Sequence, residues 1–123
     1  MHALPYDEFI EELKKMNGTP AEILTNRELM ELFIPVLRSD FKMNETYRYT
    51  PSPKLSCPAS IFRGTEEIEI SEKDCLAWQT LFHQKIDYTD FPGDHFFIHS
   101  CRDQVVNKVA DIAKNKAYLM QNA

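Results

Sequence analysis

Two short apolar segments, each running into a glycine loop, constrain this chain more than any other feature. Pro58-Ala-Ser-Ile-Phe-Arg63 is closed by Gly64, and Ile86 to Phe91 ends at Pro92-Gly93. Each has the length and flanks of a buried strand with a turn at its carboxyl end. Between them Ser71 is placed to cap a helix running to about Phe82, with Cys75, Leu76, Trp78, Leu81 and Phe82 as its apolar positions. After them Ser100 is placed to cap a last helix, on which Val105, Val106, Val109, Ile112 and Ala113 recur at helical spacing. Strand, helix, strand, helix in this order predicts an α/β chain with a parallel βαβα arrangement.

The residues before this unit read as helix. Asp7 is placed to cap a segment whose apolar positions are Phe9, Ile10, Leu13 and Met16, and Asn17-Gly18 stops it. Thr19 as N-cap, Pro20 at N1 and Glu22 at N3 then form a capping-box pattern. Asn26 caps a longer helix to roughly Asn44, with Leu29, Met30, Leu32, Phe33, Val36, Leu37 and Phe41 as its apolar set. Pro35 falls inside that set and predicts a kink or break one turn before it. Residues 47–58 carry Pro51, Pro53 and Pro58 and read as an extended connector.

Composition narrows the class. At 123 residues the chain is one domain or part of a larger one. Its formal net charge of −5 argues against a nucleic-acid partner, which selects a basic face. No apolar run is long enough to span a bilayer. Nor does the start show the charged-then-apolar pattern of a secretory signal, so the expectation is a cytoplasmic protein. Cys57, Cys75 and Cys101 lack metal-ligand spacing and read as reduced thiols. Cys101 lies six residues beyond His95, but a reactive thiol needs an electropositive site that nothing nearby supplies.

In an open parallel sheet, catalytic groups gather beyond the carboxyl ends of the strands. Here those ends are Gly64-Thr65-Glu66-Glu67 and Pro92-Gly93-Asp94-His95. If the strands are neighbours, an acid from the first loop and His95 from the second face one crevice. That pairing serves nucleophilic hydrolysis: the carboxylate fixes the imidazole tautomer, and the imidazole takes a proton from a hydroxyl. On the residues alone, His95 also fits a surface or packing role, and Glu66 and Glu67 a solvated charge pair.

Phe91-Pro92-Gly93-Asp94-His95-Phe96-Phe97-Ile98-His99-Ser100 strongly resembles the type II thioesterases. These are the stand-alone α/β-hydrolase editing enzymes that accompany nonribosomal peptide and polyketide synthetases. Leu4-Pro5-Tyr6-Asp7-Glu8-Phe9, Asn17-Gly18-Thr19-Pro20 and the stretch Glu28 to Phe41 are similar to that family's lid. Cys57-Pro58 through Gly64 is similar to the strand leading to its catalytic acid, and Ile70-Ser71 with Ala77-Trp78 to the helix after it. The resemblance implies that His95 is the catalytic base. Glu67, four residues before Ser71, falls on the catalytic acid, where the family usually has Asp; Glu66 is the alternative.

A hydrolase of this class carries its nucleophile in a GxSxG elbow ahead of the acid and histidine. The three glycines here are Gly18, Gly64 and Gly93, and no such elbow occurs. The expectation is therefore the C-terminal half of the fold, a partial α/β-hydrolase. Residues 1–46 would be a helical lid-like segment and residues 47–123 the C-terminal part of the core. The resemblance implies acyl-thioester hydrolysis on carrier proteins, without metal or bound organic cofactor, since the phosphopantetheine belongs to the carrier substrate. The chain alone is expected to be inactive, and to be oligomeric, intertwined or partly molten. Its expected partners are an acyl or peptidyl carrier protein and the missing N-terminal half, or a second copy. The alternative is a non-catalytic carrier-binding or complementing fragment.

Overall fold

The computed structural model describes the backbone of residues 1–121 and the side chains of residues 1–116. The chain divides into two compact units between Pro51 and Ser52.

The first unit holds α1 (Tyr6–Lys15), α2 (Ala21–Leu24) and α3 (Arg27–Thr46). Phe9, Ile10, Leu13, Leu24, Met30 and Ile34 form its buried cluster. Phe9 meets Phe41 edge-on at 5.8 Å, and the Arg38 guanidinium lies 4.5 Å from the Phe9 ring centroid. The end of α3 is tied back to the start of the chain. The Glu45 carboxylate binds His2 Nδ1 and pairs with the Met1 ammonium at 3.0 Å, and these partners hold its pKa down at about 2.

Asn26 caps α3 as its sequence predicts, its side chain accepting from the Leu29 N–H at 3.2 Å. Two other start signals are displaced. Pro5, not Asp7, is the N-cap of α1, so Asp7 sits within the first turn, where its charge favours the helix dipole. Pro20, not Thr19, is the N-cap of α2, so the Thr19–Glu22 box does not form. Met16 lies just past the end of α1 and is exposed. Pro35 does not break α3, which runs as one helix through it. Of the apolar set on that helix, Leu29, Leu32, Phe33 and Val36 are exposed. With only two short partner helices in the unit, one face of α3 is covered and the other is not.

The second unit begins with the extended segment, in which Leu55 makes an isolated parallel bridge to Phe82. Strand β1 (Ser60–Gly64) is followed by α4 (Glu72–Ala77), a 3₁₀ turn at Trp78–Leu81, β2 (Asp87–Phe91), α5 (Phe97–Ser100) and α6 (Arg102–Gln121). The two strands pair in parallel, with α4 in the crossover, as the βαβα pattern predicts. Ser71 caps α4 with a full capping box: its side chain accepts from the Asp74 N–H at 3.2 Å, and Asp74 accepts from the Ser71 N–H at 2.9 Å. Ser100 does not cap the last helix. It closes the short turn α5, and α6 starts at Arg102.

Cys75, Ile86, Phe91 and Val105 are the buried apolar residues among the described side chains of this unit. Phe91 stacks on Phe97 at 5.4 Å and meets Phe62 edge-on at 5.2 Å. The strands are less buried than their apolar content predicts, Gly64 alone being buried in β1 and Phe91 alone in β2. The hydrogen-bond phase explains this. Ala59 O accepts from Asp87 N, and Thr65 N donates to Phe91 O, each at 2.9 Å. Alternation then turns the N–H and C=O of Ser60 and Phe62 to the other edge of β1. Among the described residues no further strand pairs there.

Candidate active site

The register Ser60↔Asp87 through Gly64↔Phe91 ends both strands at the same level, so their following loops leave the sheet side by side. Backbone hydrogen bonds then join the loops. Glu66 N donates to Gly93 O at 2.9 Å, and Glu67 N closes a turn onto Gly64 O at 3.1 Å. This closeness needs a glycine at 64, where a Cβ would lie 2.2 Å from Asp94 O and 2.5 Å from Gly93 O. Gly93 has φ +122°, a conformation that L side chains rarely adopt.

On the second loop the Asp94 carboxylate accepts from the Phe96 N–H at 2.8 Å, and Asp94 O accepts from Phe97 N at 3.1 Å. That turn sends His95 toward the first loop. His95 Nδ1 and Glu67 Oε2 are 2.5 Å apart. An ionised carboxylate has no proton to give, so Nδ1–H donates and the lone pair rests on Nε2. The Glu67 side chain is only 6% exposed and that of His95 is 62% exposed. The acid is sheltered and the base opens outward, which suits an imidazole that takes a proton from an incoming hydroxyl.

Burial alone pushes the Glu67 carboxyl upward. The Glu69 N–H at 2.9 Å on Oε1 and the His95 contact outweigh it and hold the group below the usual glutamate value. A lowered folded-state value means that the group stabilises the fold above the ordinary glutamate pKa, about 4.3. That contribution is lost as pH falls through the lowered value. The urea midpoint of the wild type should therefore exceed that of Glu67→Gln at pH 7, and the gap should close in acid. A gap independent of pH would contradict the pairing.

The structure thus brings His95 and Glu67 together. Glu66 contributes its backbone N–H, not its carboxylate. Cys101 is half-buried and its Sγ donates to Pro92 O at 2.8 Å; no described contact joins it to His95. Among the described residues no cluster of three His, Cys, Asp or Glu is placed to hold a metal ion, and no helix is long and apolar enough to cross a membrane. Arg63, Gly64 and Asp94 shape the site; the sequence names Gly64 and Asp94 only as members of the strand-end loops and Arg63 only as the last residue of a segment, with no role in the site for any of them. Their signal lay in the strand ends, where Arg63 and Asp90 each stand one residue before the paired Gly64 and Phe91.

A family profile described as a thioesterase domain matches residues 1–114. The chain belongs to the thioesterase family. Among its relatives are the type II thioesterases of the borrelidin cluster and of the yersiniabactin nonribosomal peptide and polyketide pathway. The gramicidin S biosynthesis protein GrsT of Aneurinibacillus migulanus is 31% identical over 105 residues, an alignment covering 85% of this chain and 41% of GrsT. ClbQ from the colibactin pathway superposes with a TM-score of 0.82 at 33% identity, covering 93% of this thioesterase chain and 48% of ClbQ. YbtT, the type II thioesterase of the yersiniabactin pathway, gives 0.79 at 29% identity, with 89% and 45% covered. This thioesterase chain therefore spans less than half the length of these relatives.

Proposed function

We propose that this chain supplies the acid and base of an acyl-thioester hydrolase in nonribosomal peptide or polyketide biosynthesis. The contact between Glu67 and His95 at the strand ends carries this reading. His95 Nε2 takes the proton of a serine hydroxyl, and the oxygen attacks the thioester carbonyl. The departing thiolate takes that proton back, leaving an acyl-serine. His95 then takes a proton from a water that attacks the acyl-serine and returns it to the serine oxygen as the acid leaves, while Glu67 stabilises the imidazolium at each stage. The substrates are acyl or aminoacyl groups misloaded on the phosphopantetheine arm of a carrier protein in the cytoplasm. The reaction needs neither a metal nor a bound organic cofactor. Residues 1–46 act as a lid.

The serine stands on polypeptide other than residues 1–123, since no GxSxG elbow occurs among them. The outer edge of β1, where Ser60 and Phe62 turn their backbone groups, suits the docking of that portion. A second reading, a non-catalytic carrier-binding piece, is favoured by the exposed apolar positions of α3: Leu32 at 73%, Val36 at 57% and Met43 at 69%.

Acyl-pantetheine thioesters separate these readings. Residues 1–123 alone should match buffer. Co-expression with the serine-bearing part of a family member should restore turnover. Hydrolysis by the isolated chain, abolished by His95→Ala, would overturn the division of the triad. Saturable binding of a loaded carrier with no turnover in the co-expressed pair would favour the second reading.

A further inference from the structure

The loop that carries Glu67 is held unevenly. Its near end is fixed by three backbone bonds, from Thr65 N, Glu66 N and Glu67 N to Phe91 O, Gly93 O and Gly64 O. Its far end has little packing: Ile68 is 83% exposed and Ile70 41%. What holds that end is a side chain. Arg63 Nε donates to Ile70 O at 2.9 Å, across seven residues, while Nη1 reaches the Asp90 carboxylate at 3.3 Å. The Arg63 side chain is mostly covered, at 16% exposure. Immediately beyond Ile70, the Ser71–Asp74 capping box fixes the start of α4.

We infer that Arg63 is the positioning residue of the acid, anchoring the far end of the loop so that the Glu67 carboxylate stays on His95. The inference rests on the acid–base reading above. Three geometrical facts support it. Glu67 Oε1 accepts from Glu69 N, so residues 67–69 form one turn, which moves with its neighbour Ile70. Arg63 stands directly opposite Asp90 in the register, so its fork is braced on β2 while Nε faces the loop. Asp90 is also held by the Tyr88 hydroxyl at 2.6 Å, and so keeps a partner without Arg63. The Ile70 carbonyl has no such substitute among the described hydrogen bonds. A guanidinium can serve both directions at once, whereas the single ammonium of lysine must choose between a carboxylate and a carbonyl.

The test is NMR on isotopically labelled residues 1–123, following the Glu67 carboxyl titration and the solvent exchange of the His95 Nδ1 proton. In Arg63→Met the Glu67 titration should move up toward the ordinary glutamate value. Exchange of the Nδ1 proton should quicken roughly fivefold, the factor that follows from losing one hydrogen bond of typical net strength. Arg63→Lys should shift both readouts the same way, and it decides the matter if Arg63→Met does not fold. Asp90→Asn removes the ion pair but leaves the bond to Ile70 O, and should keep both signatures. An arginine variant with unchanged readouts overturns the inference, as does an Asp90→Asn that reproduces the arginine effect. Neither readout depends on turnover. Intact NMR coupling with no hydrolysis in the assembled pair would count against the proposed function alone.

Discussion

In the hydrolase assembled from this chain and a serine-bearing partner, His95→Ala is expected to lower turnover of acyl-pantetheine thioesters by roughly four to six orders of magnitude. The size follows from the role. Without an imidazole at the end of β2, the serine keeps its proton and the leaving thiolate finds no acid. What survives comes from binding and from the oxyanion donors of the other part. Glu67→Gln should cost less, about three to four orders, because the imidazole remains but its tautomer and charge lose their partner. The comparison is made at saturating substrate, with the fold checked by circular dichroism. A His95→Ala enzyme within tenfold of wild type would remove His95 from the mechanism.

Gly64→Ala is expected to destabilise the second unit by about 2–3 kcal/mol, at the upper end of overpacking costs. The new methyl meets backbone, not a flexible side chain: Asp94 O at 2.2 Å and Gly93 O at 2.5 Å. Relief requires the histidine loop to move away, which also breaks the bond from Glu66 N to Gly93 O. The change should appear as a lower urea midpoint together with loss of the His95 Nδ1 hydrogen-bond signal. A variant that keeps both would show that the loops can separate without cost.

Much of the architecture was legible because it rests on local signals. Asn26 and Ser71 cap their helices through bonds reaching only three residues along the chain. The βαβα order follows from the sequence of apolar segments and breakers. Glu67 and His95 were legible as a pair because parallel strands of equal length bring their following loops together. The rest depended on neighbours. A capping pattern at Thr19 competes with a proline that can itself serve as N-cap, and one residue of phase decides the outcome. Burial was overestimated for Leu32, Val36, Leu76 and Trp78, because periodicity marks an apolar face but not whether anything covers it. Arg63 escaped notice because its partner Ile70 O is a backbone atom, which no residue pattern records.

The contact between Glu67 and His95 has a consequence for folding as well as for chemistry. A two-stranded parallel ribbon with few buried side chains specifies its own alignment weakly. A shift of one residue would reverse the faces, but a shift of two restores them and meets little resistance from packing. Such a shift moves one loop along the other by about 6.6 Å. It would part Glu66 N from Gly93 O and carry Glu67 out of reach of His95. The pair is thus a gauge of alignment: only a correctly seated ribbon can close it, so a chain that pairs its strands wrongly also fails to make a base.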